Sequence, residues 1–281
     1  MLCRKMGDEV DKRKEDDSVG VVTKDNEEDD DCYLVPLFPG IPLAPSIRNP
    51  KPPRVTFVLE KASLVPAYVG RSYHILNPEE HADFLRKKNM NPYDYRPDIV
   101  HEALLQITGS RLCMAGGVEA VYIKTVQGVL IKVEPPTHIP KTLGLFCAMM
   151  SQLLQKLNIK ARGKGEKLLR LVENPVTKHL PLNSHIIGLS SSSKKAVRVR
   201  DYIGTISNDQ SLVFVVGAMA HGKIDSDYIN DFVSGVRKWL LSRVIDVLVP
   251  CTVFAVSSFP LSAAACLRRI CIAVERQRNI L

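Results

Sequence analysis

The sequence lacks the long apolar run and the paired cysteines that mark several protein classes. No stretch of 18 residues is apolar and uncharged throughout, and the first residues are charged. We therefore expect neither a membrane span nor a secretory signal. The seven cysteines include no Cys-x-x-Cys pair, so we expect reduced thiols in an intracellular protein, and no metal site.

Signatures of several common enzyme classes are also absent. The sequence has no Gly-x-Ser-x-Gly elbow, no His-Glu-x-x-His motif and no Gly-x-Gly-x-x-Gly loop, which weighs against hydrolases, zinc enzymes and Rossmann nucleotide domains. His221-Gly222-Lys223 lacks the spacing of a phosphate-binding loop, and Ile224 follows it. A nucleotide hydrolase built on this tripeptide is therefore a poor hypothesis.

Charge is distributed unevenly along the chain. Residues 1–31 hold twelve acidic and six basic side chains, a net charge of −6, whereas the whole chain carries +8. Subtracting −6 from +8 leaves +14 on the remaining residues. This large positive charge favours a polyanionic partner such as nucleic acid, although a role in solubility alone would also account for the charge.

The first 53 residues do not have the pattern of a folded core. Residues 1–31 have few apolar side chains and an acidic block at Glu27–Asp31, so we expect a disordered acidic tail. Seven prolines from Pro36 to Pro53 favour an extended linker. We therefore place the folded domain at residues 54–281.

Apolar periodicity alternates between strands and helices over this domain, which predicts the α/β class. The predicted strands cover 54–60, 119–125, 129–134, 185–189 and 212–216. The predicted helices are 79–88, one capped by Asp98 and ended by Gly109, 146–157 with Leu157 on its buried stripe, 166–173, one from Asp225 through Val247, and 262–278. His101 and His179 are interpreted as structural histidines.

The stretch Leu212–Lys223 is the strongest local indication of a ligand site. Five apolar residues, Leu212 to Val216, precede Gly217 and Gly222. This is the pattern of a buried strand that ends in a tight turn, where the main chain can approach a ligand closely. In open α/β sheets ligands bind at the carboxyl ends of strands. An ordinary core strand and turn remains the alternative.

Seven segments of the chain together form a recognisable pattern: Val58–Leu64, Tyr95–Ile99, Ile139–Thr142, Leu168–Pro175, Ile187–Ser190, Val213–Lys223 and Val256–Ala264. Taken in this order, they resemble the eukaryotic and archaeal ribosomal small-subunit pseudouridine-N1 methyltransferases. These are knotted α/β enzymes of the SPOUT superfamily. The resemblance implies a trefoil knot near the C-terminus, a mostly parallel central sheet and a β-rich extension particular to the family.

The resemblance also implies a cofactor and the residues that hold it. It places S-adenosylmethionine against Leu189, Gly217, Gly222 and the run Val256, Ser257, Ser258, Phe259, Pro260 and Leu261. Glycines and main-chain groups can wrap an adenosyl moiety while apolar side chains cover its faces. Asp98 becomes the candidate proton acceptor, with a plain helix cap as its alternative, and Arg96 a candidate to hold RNA.

The chain departs from the family pattern in three places. The family usually has arginines where this chain has His138, Lys141 and Leu145, and of these His138 and Lys141 remain candidate RNA contacts. Residues 109–116 keep only part of the family's Asp-Ser-Pro-Leu-Asn pattern. Residues 234–255 are an insertion that the family lacks, and we hypothesise a translated intron or a lineage-specific insertion.

The sequence therefore predicts an S-adenosylmethionine-dependent methyltransferase acting on a pseudouridine in small-subunit ribosomal RNA. The family resemblance further implies a homodimer that works in the nucleus, in the nucleolus, with pre-ribosomal small-subunit assembly factors, away from any membrane. The alternative is a noncatalytic RNA-binding assembly factor with the same fold. Calorimetry with the cofactor separates the two.

Overall fold

A computed structural model describes residues 53–161, 163, 165–190, 199–206, 210–222, 224, 227–234, 254–255 and 261–280. The strands are β1 (Val55–Ala62), β2 (Pro66–Val69), β3 (Ser72–Ile75), β4 (Val118–Thr125), β5 (Leu130–Val133), β6 (Asn158–Lys160), β7 (Lys167–Val172), β8 (Ser184–Ser190), β9 (Ser211–Gly217), β10 (Asp231–Ser234) and β11 (Phe254–Ala255). The α-helices are α1 (Pro78–Lys87), α2 (Pro97–Thr108), α3 (Arg111–Met114), α4 (Leu143–Lys156), α5 (Val199–Thr205) and α6 (Ala263–Gln277). Short 3-10 helices cover Pro92–Asp94 and Val176–His179.

Nine strands form one mixed sheet, in the order β11-β10-β8-β9-β1-β4-β5-β7-β6. The six strands from β11 to β4 pair in parallel, and β5, β7 and β6 extend the sheet with antiparallel pairs. We call the edge where the six parallel strands end the carboxyl edge. The strands β2 and β3 form a separate antiparallel hairpin.

The central strands of the sheet are mostly apolar, and their side chains are buried on both faces. Phe57 of β1 and Phe214 of β9 stack at 5.9 Å on one face, in a core shared with α2, α4 and α6. On the other face Val58, Val213 and Val215 lie in a second cluster. No helix of eight or more residues contributes to that second cluster among the described residues, and the segment around Met219 and Tyr228 packs against it.

The structure confirms the α/β class and most predicted elements. The strand predicted at 54–60 is β1, and those predicted at 119–125 and 129–134 are β4 and β5. The strand predicted at 212–216, before the glycine turn, is β9. The final helix begins as expected, since Ser262 caps α6 by accepting a hydrogen bond from the Ala265 amide at 3.3 Å. Gly109 ends α2.

Two predicted helices are wrong. Residues 166–173 hold strand β7 instead, because their alternating Leu169 and Leu171 complete the antiparallel pairing with β5, and pairing outweighs local helix propensity. The helix predicted from Asp225 through Val247 is contradicted at β10, which pairs with β8 through Val233 and Leu189.

Two side chains were also placed wrongly. Asp98 does not cap α2. The cap residue is Arg96, and Asp98 lies in the first turn, bonded to it. Leu157 is 57% exposed rather than part of the buried stripe of α4, because it takes a left-handed conformation at the helix end and so leaves the helical face.

Several predictions fall outside the described residues. They concern the acidic tail 1–31, nearly all of the linker, Asp225, the inserted residues 235–253 and the run 256–260. The knot implied by the resemblance depends on residues 235–260 and stays a prediction. All described residues belong to one compact unit, Asn49–Leu281, in which no described helix is long and apolar enough to cross a membrane.

Candidate functional site

The carboxyl edge of the sheet brings together the cofactor candidates that are described. Gly217 ends β9, and its register partner on β1 is Glu60. On the other side of β9 lies β8, whose Gly188 pairs with Val215. Leu189, the next residue, is half-buried. Because β8 and β9 run parallel, Leu189 lies at the same edge as Gly217.

The turn after β9 requires its glycines. Gly222 has φ of +119°, in the region that favours glycine. A Cβ on Gly217 would lie 3.1 Å from the Met219 Cε and 3.4 Å from the Ile224 Cγ1. The Met219 side chain thus folds back against both glycines, and the turn is compact and apolar inside.

The second cofactor segment begins at the same edge. Strand β11 ends at Ala255, directly before the predicted run Val256–Leu261, and β11 is the outermost strand beside β10. Of that run, Leu261 is described and half-buried at the start of α6. Val256, Ser257, Ser258, Phe259 and Pro260 lie outside the described residues.

Arg96 and Asp98 form an ion pair at the beginning of α2. Arg96 Nε lies 2.8 Å from Asp98 Oδ1, and Nη2 lies 2.6 Å from Oδ2. The two side chains are 39% and 28% exposed, so ligands can reach both. The hydrogen bonds that Arg96 donates to Asp98 raise the pKa of Arg96 above its ordinary value, and partial burial opposes this only in part. The guanidinium is fully charged.

A serine places this ion pair at the carboxyl edge. Ser63 follows the last residue of β1 and is buried. Its Oγ accepts a hydrogen bond from the Arg96 amide at 3.3 Å and donates one to the Asp94 carbonyl at 2.9 Å. Because β1 is the neighbour of β9, the Arg96–Asp98 pair and the Gly217 turn occupy the same edge.

The proline elbow, residues 135–141, is attached to α2. His101 Nε2 lies 2.7 Å from the Pro140 carbonyl oxygen, and because a carbonyl can only accept, the ring nitrogen donates. The His101 ring also stacks on Phe146 at 4.8 Å. His138 and Lys141 are exposed on either side of Pro140. His101 is three residues beyond Asp98, so the elbow lies near the ion pair.

The structural interpretation of both histidines is confirmed. His101 is buried with the partners just given. His179 Nε2 lies 2.8 Å from the Glu173 carbonyl oxygen, and its ring stacks on Tyr122 at 5.8 Å. Within the described part of the chain, no three His, Cys, Asp or Glu side chains are grouped closely enough to hold a metal ion.

Sequence reasoning missed the side chains that support the site. Glu60 is 3% exposed at the end of β1, and Tyr228 donates a hydrogen bond to it from a distant part of the chain. An acid at the end of an otherwise apolar strand was the single available signal for Glu60. Nothing local in the sequence distinguished Ser63 or Tyr228.

An open cavity of about 500 Å³ lies at the opposite edge of the sheet. It is lined by acidic and basic side chains that pair with each other, such as Arg54 with Glu119 at 2.8 Å and Arg170 with Glu134 at 3.3 Å. Mutually neutralised charges favour no particular ligand. The carboxyl edge, with its glycine turn and exposed ion pair, is the better candidate site.

Comparison with known proteins identifies the family of the chain. The profile of the EMG1/NEP1 methyltransferase family matches residues 57–275. The chain is 37% identical over 222 residues to "Ribosomal RNA small subunit methyltransferase NEP1" of Homo sapiens, covering 79% of this chain and 81% of that protein. It is 40% identical over 188 residues to the nep-1 protein of Caenorhabditis elegans, covering 67% and 80%.

A solved structure shares the fold. The crystal structure of Archaeoglobus fulgidus Nep1 bound to S-adenosylhomocysteine matches with a TM-score of 0.59 at 18% identity, covering 80% of this chain and 99% of that one. This likeness and the sheet order define the class of the chain as an α/β protein with a mostly parallel sheet. Within that class, the chain belongs to the EMG1/NEP1 methyltransferase family.

Proposed function

We propose that this protein transfers a methyl group from S-adenosylmethionine to N1 of a pseudouridine in small-subunit ribosomal RNA. The observation that carries the proposal is the meeting of two residue groups at one sheet edge. Gly217 and Leu189 suit a cofactor, and Arg96 and Asp98 suit a nucleotide. The names of the NEP1 relatives support the same substrate class.

The chemistry of the described residues fits the cofactor. Gly217, Gly222 and the half-buried Leu189 and Leu261 offer main-chain hydrogen-bonding groups and apolar surface, which suit an adenosyl group. When bound, S-adenosylmethionine supplies the methyl group from its sulfonium. We propose that Val256 to Pro260 complete this surface. Holding the two reactants in line is the main contribution of the protein.

Arg96, His138 and Lys141 are proposed to hold the RNA. All three are at least partly exposed, and the bond from His101 to Pro140 keeps the elbow beside α2. Lys141 and Arg96 would contact phosphates, which favours RNA binding that weakens with salt. A base splayed out of a loop can then reach Asp98.

Asp98 is proposed to accept the N1 proton as the methyl group arrives. The N1 of pseudouridine is an imide-like N–H, which must lose its proton before or during the transfer. An ionised carboxylate has about four lone-pair positions, so Asp98 can accept from the substrate while it binds Arg96. Arg96 keeps the carboxylate oriented.

We also propose that the protein acts as a homodimer in the nucleolus, together with pre-ribosomal assembly factors. The family resemblance and the +14 charge of residues 32–281, obtained from the totals of the chain, support an RNA-rich compartment. Sedimentation of the purified chain tests the dimer. Imaging of a tagged protein tests the location.

A methyl-transfer assay tests the activity. Labelled S-adenosylmethionine is incubated with two short RNA stem-loops that differ in one nucleotide, pseudouridine or uridine. We expect label in the pseudouridine RNA alone, because N1 of uridine carries the glycosidic bond and cannot be methylated. RNA binding without cofactor binding and without transfer would favour the noncatalytic assembly factor instead.

A further inference from the structure

A buried carboxylate at the carboxyl edge has no role in the mechanism above. Glu60 is the sixth residue of β1 and its side chain is 4% exposed. A carboxylate removed from water destabilises a fold unless hydrogen bonds or charges compensate. Its position beside Gly217, its register partner, therefore needs a physical reason.

Two side chains compensate the buried charge of Glu60. The Tyr228 hydroxyl donates to Glu60 Oε1 at 2.6 Å, a short distance typical of a hydrogen bond to an ionised acceptor. Lys124 Nζ lies 3.5 Å from the carboxylate and is 36% exposed, so water screens much of that attraction. Tyr228 is the closer partner.

The main chain of Glu60 makes a second bond to the same segment. Its carbonyl oxygen accepts from the Ala218 amide at 2.8 Å. Glu60 therefore holds the segment from Ala218 to Tyr228 at both ends, by its backbone at one and its carboxylate at the other. We call this arrangement the Glu60 clamp. Gly222 lies between the two held points.

We propose that Glu60 is a positioning residue for the cofactor, and that its bond to Tyr228 keeps the glycine turn in the shape that binds S-adenosylmethionine. This inference rests on the proposed function. A turn held in place before binding loses less conformational freedom on binding, so the affinity is higher. The packing of Met219 and Tyr228 against the second cluster helps hold the same segment.

The Tyr228→Phe variant tests the clamp, with S-adenosylhomocysteine as the probe in calorimetry. The change removes one hydroxyl and keeps the ring. We expect the Kd for S-adenosylhomocysteine to rise about tenfold, or about 1.4 kcal/mol. The Kd for a pseudouridine stem-loop stays within about twofold, because the residues proposed to hold the RNA lie outside the segment.

Tyr122→Phe is the matched control. Tyr122 belongs to the second cluster, against which Tyr228 packs, and its hydroxyl donates to the His179 carbonyl at 3.2 Å. Both variants lose one partly buried tyrosine hydrogen bond, and we expect both to lose a similar amount of thermal stability. Only Tyr228→Phe loses cofactor affinity if the clamp acts on the turn.

Glu60→Gln supplies an independent measurement. The amide oxygen can still accept from Tyr228, but the bond is no longer charge-assisted, so we expect a threefold to fivefold rise in Kd. Added to Tyr228→Phe, it has less than a twofold further effect, because the bond it weakens is already gone. If the two changes together raise the Kd by the product of their separate effects, the clamp is wrong.

The outcomes separate the clamp from the function. If the unaltered protein binds S-adenosylhomocysteine and Tyr228→Phe binds equally well, or if Tyr122→Phe is equally impaired, the clamp is wrong and the methyltransferase proposal stands. If the unaltered protein binds no S-adenosylhomocysteine, the proposed function is wrong and the clamp falls with it.

Discussion

Asp98 accepts hydrogen bonds from both Nε and Nη2 of Arg96, at 2.8 Å and 2.6 Å. Only Pro97, the first residue of α2, separates the two in the chain. A partly exposed ion pair contributes little to stability. Its fixed geometry at the carboxyl edge therefore points to a role in binding or chemistry.

Asp98→Asn is expected to lower the methyl-transfer rate about 100-fold, within the range for loss of a general base. The amide keeps the shape of the side chain but cannot take the N1 proton. Single-turnover kinetics with saturating RNA measures this step. Asp94→Asn, an exposed carboxylate four residues earlier, is the matched control. An unchanged rate with weaker RNA binding would assign Asp98 to positioning alone.

Leu145→Arg is expected to strengthen RNA binding about threefold to tenfold. Leu145 is 64% exposed in the first turn of α4, beside the elbow, so an arginine there gains a phosphate contact. In a plot of the logarithm of RNA affinity against the logarithm of salt concentration, the slope should become steeper by about one unit. Leu182→Arg adds the same charge at a fully exposed site before β8, and an equal gain there would indicate nonspecific attraction.

His101→Leu is expected to destabilise the fold by about 1–3 kcal/mol, because the partly buried Pro140 carbonyl loses its donor. RNA binding should also weaken, since the elbow is no longer fixed to α2. Urea unfolding and RNA titration measure the two effects. His179→Leu likewise removes a ring-to-carbonyl bond but lies away from the elbow. If it weakens RNA binding as much, the elbow has no special role.

Removal of residues 234–255 is expected to tighten cofactor binding at least tenfold. The deletion joins Val256 directly to β10, one strand closer to β9 than β11 is. Adjacent strands are about 4.8 Å apart, so the predicted cofactor run moves closer to the Gly217 turn. Calorimetry with S-adenosylhomocysteine compares the two chains. Equal affinities would show that the insertion leaves the site intact.

The buried thiols are expected to lower stability at high pH. Burial raises the pKa of Cys147 and Cys266 to about 11 and that of Cys271 to about 12, from an ordinary value of 9.0. Above pH 9 the unfolded chain loses these protons first, so unfolding becomes more favourable by up to about 1.4 kcal/mol per thiol and pH unit. Urea unfolding from pH 8 to 10.5 shows the decline, and Cys271→Ala should make it shallower. An unchanged slope would contradict the assignment.

The sequence predicted the site best where the signal is local. An apolar strand followed by glycines identified β9 and its turn without any tertiary information, because burial and positive φ restrict residue choice at each position. The same local reasoning failed at β7 and β10. In both strands, the pairing with β5 and with β8 decided the conformation.

The sequence by itself determined the α/β class, the glycine turn after Val216, the final helix capped by Ser262, and the resemblance that named the chemistry. Tertiary structure alone decided that Arg96 bonds Asp98, that Ser63 and His101 fix their surroundings, and that Tyr228 reaches Glu60 across 168 positions. The physical reason is distance along the chain. Backbone preference and hydrophobic period act over a few residues, whereas a hydrogen bond across the sheet forms only once the strands have taken their register.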